Sequence, residues 1–160
     1  MDKRTLVKDH LQFLHSALKK ILETFDEEES MHQLYDDMNH PRWQTGHMTG
    51  SAYAMLRLLG ENLQEPEDTE KLFGSGSQLK KDPTEYPAFS ELKDRLYKLW
   101  ARIYDRLDKV EESLMDEETS FGEWKPTKYE ALMFLGAHDF YHAGQLTLTM
   151  RSLGKERPFS

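Results

Sequence analysis

The sequence predicts an all-α fold, a four-helix bundle with a long connection between its second and third helices. Three observations carry this. Apolar residues recur three and four apart in four separate stretches, the period of a helix with one buried face. Capping or helix-breaking residues bound most of those stretches. Nowhere do polar and apolar residues alternate convincingly, as a half-buried strand requires. A chain of 160 residues can bury a respectable core as one domain, spanning 1–160.

In the first helix, from Arg4 to Phe25, the stripe is Leu6, His10, Phe13, Leu14, Ala17, Ile21 and Phe25, and the acidic run from Asp26 to Glu29 ends it. His10 lies on that stripe and His15 off it. A loop through Asn39 follows, with a helical turn expected around His32–Asp37 and with Tyr35 and Met38 packing over one end of the bundle. The second helix starts near Pro41, since proline is tolerated in a first turn and Asn39 or His40 can cap it. It runs to Leu59 and stops at Gly60. Trp43, His47, Gly50, Ser51, Ala54 and Leu58 share one face, where Gly46, Gly50 and Ala54 leave room for a neighbouring helix.

Residues 60–89 break the pattern with Pro66, Gly74, Gly76, Pro83 and Pro87, and read as a surface crossover or a lid. The third helix, about Ser90 to Leu114, has the clearest stripe: Leu92, Leu96, Leu99, Ile103, Leu107, Val110 and Leu114. Its other face carries the pairs Glu91–Arg95, Asp94–Lys98 and Asp105–Lys109, a solvated surface. After a loop from Met115 to Pro126, Thr127 and Glu130 form a capping box for the fourth helix, which ends near Leu153 and Gly154.

That last helix poses the functional question. Ala131, Phe134, Leu135, His138, His142, Gln145, Leu146, Thr149 and Leu153 fall within a stripe of roughly 120°. Side chains four apart on a helix stand about 5–6 Å apart at Cβ, so His138 and His142 can converge on one ion. A lone histidine on an apolar face is usually a core residue hydrogen-bonded to a carbonyl or carboxylate. With His47 on the second helix, three imidazoles come from two core-facing stripes. Three neutral nitrogens can form a catalytic type of metal site, with further positions left to water or substrate. His10 reads as a core histidine, with a fourth-ligand role as the alternative. Asp139, on the flank of the stripe, is a candidate to hold a ligand in place. Gln145 either orients a ligand or caps a buried polar network.

Composition narrows the classes. The 21 basic and 29 acidic residues give a net charge of −8, which disfavours nucleic acid or an anionic membrane as partner. There are no cysteines, which excludes disulfides, thiolate metal sites and a cysteine nucleophile. The start, from Met1 to Leu6, lacks the apolar run of a signal peptide, and no stretch of 18 apolar residues spans a membrane. A cytoplasmic protein is the expectation.

The segments Trp43 to His47 and His138 to Gln145, the latter with a His-x-x-x-His-x-Gly-Gln ending, resemble the two signatures of the DinB-like superfamily. The resemblance covers the whole chain in helix order, and these two patches are its specific part. It implies a four-helix bundle in which His47, His138 and His142 bind a divalent transition metal, zinc or nickel first. It also implies a small-molecule substrate. Some members resemble thiol S-transferases that use low-molecular-weight thiols, relatives are assigned as metal-dependent hydrolases, and many have no established reaction. The connection at 60–89 departs from the family pattern. Imidazoles alone do not choose among zinc, nickel, iron and copper. Enzyme and non-catalytic metal- or partner-binding bundle therefore both stand, separated by whether the site opens to solvent.

One further expectation comes from the faces the histidines leave free. Met133, Gly136, Ala137, Phe140, Gly144 and Thr147 on the last helix lie opposite its stripe. Thr45, Met48, Ala52, Met55, Leu56 and Leu59 do so on the second. Helices apolar on both sides need cover on both, which predicts a homodimer through one of these backs or, as the alternative, a monomer whose 27–40 and 60–89 loops fold over them.

Overall fold

The computed structural model describes residues 2–156. Five α-helices follow one another: α1 Lys3–Leu22, α2 Pro41–Leu58, α3 Glu67–Phe73, α4 Phe89–Lys109 and α5 Lys128–Ser152. The four long ones form the expected bundle, and α3 lies within the long connection. The described residues contain no strand, only isolated bridges between Glu118 and Thr127 and between Phe121 and Trp124. No described helix is long and apolar enough to cross a membrane.

The order of the helices around the bundle explains the long connections. The extensive pairings are α1 with α5 and α2 with α4, completed by α2 with α5 and α1 with α4. Helices consecutive in the chain, α1 and α2 or α4 and α5, therefore lie across a diagonal. Lys3 stands over the Tyr129 ring at one end of the α1/α5 pair, and Lys155 reaches the Thr24 carbonyl at the other, so these two run parallel. So do α2 and α4: Trp43 and Leu92 share a cluster at one end, and Arg106 donates to the Leu59 carbonyl at the other. A parallel pair forces the chain between α2 and α4 back along the bundle. An 18-residue helix is about 27 Å long. Residues 60–88 cover that distance, and α3 forms on the way.

Several boundaries follow the expected caps. The His40 Nδ1 accepts the Trp43 N–H at 3.0 Å, Pro41 opens α2, and Gly60 and Gly154 follow their helices with φ of 81° and 76°. Thr127 and Glu130 form the capping box of α5. Other boundaries differ. Helix α1 stops at Leu22, three residues before Phe25, where the Thr24 hydroxyl donates to the Ile21 carbonyl and Phe25 folds back into the core. The helical turn expected at His32–Asp37 lies earlier, at Glu29–Met31, because the Asp26 and Glu29 side chains cap each other's backbone N–H. Helix α4 stops at Lys109 rather than Leu114. Glu111 and Glu112 would place negative charge at a helix C-terminus, where it is unfavourable. Pro66 and Gly74 bracket α3 rather than merely breaking the chain.

Two buried faces are rotated from the expected stripes. On α1, Phe13 is 69 % exposed while His15 is only 2 % exposed, so His15 faces the core and His10 lies half-buried against α5. On α5 the core face centres on Leu132, Leu135, Gly136, Asp139, Ala143 and Leu146, and Phe134 is half exposed. A Cβ on Gly136 would lie 2.8 Å from Leu11, so α1 packs directly on the α5 backbone there. The supposed back of α2 is core: Thr45, Met48, Ala52, Met55, Leu56 and Leu59 are all fully buried. α2 is flanked by α3, α4 and α5 and needs no second molecule to cover it.

Arg42 locks the start of α2 to both loops. Its buried guanidinium donates to Ser30 Oγ, to the Pro83 carbonyl and to the carbonyl and carboxylate of Glu27. The same Glu27 carboxylate accepts the Phe89 and Ser90 N–H groups, both at 2.9 Å, and so caps α4 from a distant loop.

Candidate metal centre

The antiparallel packing of α2 on α5 brings His47, His138 and His142 together. One ring nitrogen from each lies within 4.8 Å of the others, and the ring centroids are 4.8–5.2 Å apart. Nε2 of His47 and Nε2 of His138 are 3.3 Å apart. Two nitrogens bound to one tetrahedral zinc at about 2.0–2.1 Å stand about 3.3–3.4 Å apart. The spacing fits an ion between them.

The outward nitrogens strengthen that fit. His47 Nδ1 lies 2.7 Å from the Phe73 carbonyl, and His142 Nδ1 lies 3.3 Å from Oε1 of Gln44. His138 Nδ1 lies 3.2 Å from Ser51 Oγ and 3.4 Å from Asp139 Oδ1. An acceptor at each Nδ1 fixes the proton there and leaves Nε2 as a lone pair, the form a metal needs. Each supporting group is itself held. Gln44 donates its amide to the Asn39 carbonyl, and Trp43 stacks on the His47 ring at 4.7 Å. A Cβ on Gly46 would come within 2.4 Å of the Phe73 ring. Only glycine there lets the end of α3, with its carbonyl, reach His47. The space expected beside Gly46 and Gly50 is thus filled by α3, through Phe73 and Thr69.

Electrostatics agree with neutral rings at His47 and His142. Burial lowers the His47 pKa, and burial with the neighbouring His138 and His47 rings brings His142 down to about 4. Burial alone would raise the Asp139 carboxyl, which has no exposed surface. Hydrogen bonds and charge from His138 and His15 outweigh it and hold the group below the ordinary range.

Among the other candidates, Asp139 Oδ1 lies 3.4 Å from His138 Nδ1. Gln145 is half-buried with its side chain beside His142. His10 packs over Gly136 between α1 and α5, outside the three-histidine group, so the fourth-ligand alternative fails. Gln44, the Phe73 carbonyl and His15 join the site without a clear signal in the sequence. Gln44 sits in the Trp43–His47 segment, one turn before His47. A backbone carbonyl leaves no mark on residue type, and His15 lies off the apolar stripe that the sequence of α1 suggests.

The centre lies at the wall of a cavity of about 540 Å³ between α2, α3 and α5. His47 and His138 reach its surface, beside Ser51, Phe73, Phe121 and Phe134. Arg57 and Glu65, paired at 3.0 Å, also line it, as does Glu70.

Known proteins agree with this picture at the level of fold. YfiT from Bacillus subtilis, described as a probable metal-dependent hydrolase with an unusual four-helix bundle topology, superposes with a TM-score of 0.71 at 18 % identity. The match covers 96 % of this chain and 89 % of YfiT. No curated protein matches the chain. The DinB family model matches residues 1–159, and this chain belongs to the DinB family.

Proposed function

We propose that this protein is a metal-dependent enzyme that joins a low-molecular-weight thiol to a small electrophile. The observation that carries the reading is the convergence of the three imidazoles, two of which, His47 and His138, line an open 540 Å³ cavity. A storage or purely structural site is better served by closure. Zinc or nickel held there would supply Lewis acidity, which lowers the pKa of a bound thiol or water to where it ionises at neutral pH. Phe73, Phe121, Phe134 and Leu135 form the apolar wall for the body of the electrophile, and the Arg57–Glu65 pair meets its polar end. The carbon–sulfur bond forms as the bond to the leaving group breaks, and the thiol proton passes to solvent. The cytoplasm, where such thiols stay reduced, is the compartment that suits the reaction.

Hydrolysis is the second reading. Glu70, on the cavity wall and near enough for its charge to act on His47, offers a carboxylate to take a proton from water. YfiT, as a probable metal-dependent hydrolase, also favours it. Zinc- or nickel-loaded protein with cysteine or glutathione and 1-chloro-2,4-dinitrobenzene tests the first reading, and a p-nitrophenyl ester without thiol tests the second. Metal-dependent thiol consumption at least about tenfold above the His47→Ala variant supports transfer. Ester cleavage with no thiol requirement replaces transfer by hydrolysis. Metal bound with neither activity would leave a non-catalytic bundle.

We also propose that two copies pair through α5. Phe134, Ala137, Tyr141, Gly144 and Leu148 are exposed at alternating spacings of three and four, an uncharged seam of the kind that packs against another helix. Light scattering should find a dimer at micromolar concentration that Leu148→Glu dissociates. A monomeric wild type overturns the pairing.

A further inference from the structure

The polar contacts of the centre continue past His138 to the far side of the bundle. Asp139 is fully buried between two imidazoles: Oδ1 is 3.4 Å from His138 Nδ1, and Oδ2 is 3.6 Å from Nε2 of His15 on α1. That Oδ2 and that Nε2 are both buried without a hydrogen-bond partner, and they face each other. A buried carboxylate oxygen and a buried ring nitrogen each cost free energy when left unpaired. A closing shift of about half an ångström brings them into hydrogen-bond range.

His15 is held in a fixed orientation for this contact. Its ring stacks on Trp100 at 4.2 Å with 9° between the planes, and its Nδ1 is 2.7 Å from the Tyr104 hydroxyl, both on α4. A tyrosine hydroxyl donating to Nδ1 leaves the neutral ring's proton on Nε2, aimed at Asp139. With Oδ2 so engaged, Oδ1 remains a charged acceptor for the Nδ1 proton of His138. The His138 lone pair then stays on Nε2, toward His47.

We propose that His15 is a positioning residue for the histidine centre. Acting through Asp139, with Tyr104 as outer anchor, it holds His138 in the Nδ1-protonated form that ligates through Nε2. This rests on the reading of the three histidines as a metal centre. The bland alternative is a core histidine that only fills space against Trp100 and satisfies Tyr104.

The test compares His15→Phe, which can stack but has no N–H, with His15→Gln, whose amide can donate from about the place of Nε2. Zinc affinity is measured by competition with a chromophoric chelator, and the His138 tautomer by ¹⁵N-detected NMR of metal-free protein. His15→Phe should weaken zinc binding about tenfold and give a mixed His138 tautomer, the effect expected of a group supporting a ligand. His15→Gln should stay within about threefold of wild type with the Nδ1–H tautomer kept. Zinc affinity and tautomer unchanged in His15→Phe would overturn the proposal. Equal losses in His15→Phe and His15→Gln would also overturn it, since packing would then be the cause. If His15→Phe does not fold, Tyr104→Phe takes its place with the same two readouts. A wild type that binds no zinc defeats the metal reading alone, and the tautomer measurement then decides the role of His15.

Discussion

His142 and His40 stand at two ends of the same problem. Both are buried, and in both burial drives the imidazole pKa to about 4. At the centre, His142 has its Nδ1 tied to Gln44 and shares with His47 and His138 a point where three free nitrogens meet. At the start of α2, His40 uses Nδ1 to accept the Trp43 N–H, and its Nε2 is buried without a hydrogen-bond partner. Its ring instead meets Tyr86 edge-on at 5.2 Å. Suppressed protonation prepares one ring for a cation and makes the other a helix cap. The difference lies in where the second nitrogen points, which residue type does not reveal.

Removing a ligand should have the largest effect. His47→Ala, His138→Ala and His142→Ala are each expected to lose metal by at least about 100-fold in affinity, from about one ion per chain in wild type. Metal analysis of purified, untagged variants checks this, and wild-type content in all three would remove the centre. His40→Ala should leave the metal content unchanged, which sets the two regions apart.

Acid separates them next. The folded His40 pKa of about 4 lies below its unfolded value near 6.5, so the unfolded chain binds the proton more tightly. The stability it contributes is full above about pH 6.5 and is lost as pH falls toward 4, on the order of 3 kcal/mol. His40→Asn can keep the cap without the buried ring, so its denaturation midpoints should fall less steeply across that window. Metal occupancy at limiting metal should fall through the same range in both proteins, because protons compete for the three ligands. Identical acid profiles for wild type and His40→Asn in metal-free protein would take the cap out of the account.

The smallest effect sharpens the support of one ligand. Gly46→Ala places a methyl on the Phe73 ring and should push α3 and its carbonyl away from His47. A loss of about tenfold in metal affinity is expected, with about 1–3 kcal/mol in stability from overpacking. Gly50→Ala, where the nearest atom would be 3.6 Å away, is the control and should change neither.

Much of this was determined by the sequence itself. The four long helices, the capping box of Thr127 and Glu130, the stops at Gly60 and Gly154 and the three histidines are local or periodic features, and short-range physics writes these into residue order. The faces were less secure. A helix with apolar residues nearly all round, as α2 and α5 have, has no single stripe to orient it, so residue order alone turns Phe134 inward. On α1 the apolar Phe13 draws the stripe to itself and turns the polar His15 outward, the reverse of the packed structure. Only packing decided those rotations. Tertiary structure alone placed Phe73 beside His47 and Asp139 beside His15, and brought the Glu27 carboxylate to the start of α4. These contacts join residues 26 to 124 positions apart, in a bundle whose chain-consecutive long helices lie across a diagonal and whose most extensive pairs run parallel. That order is set by how the bundle closes, and no local signal in the chain records it.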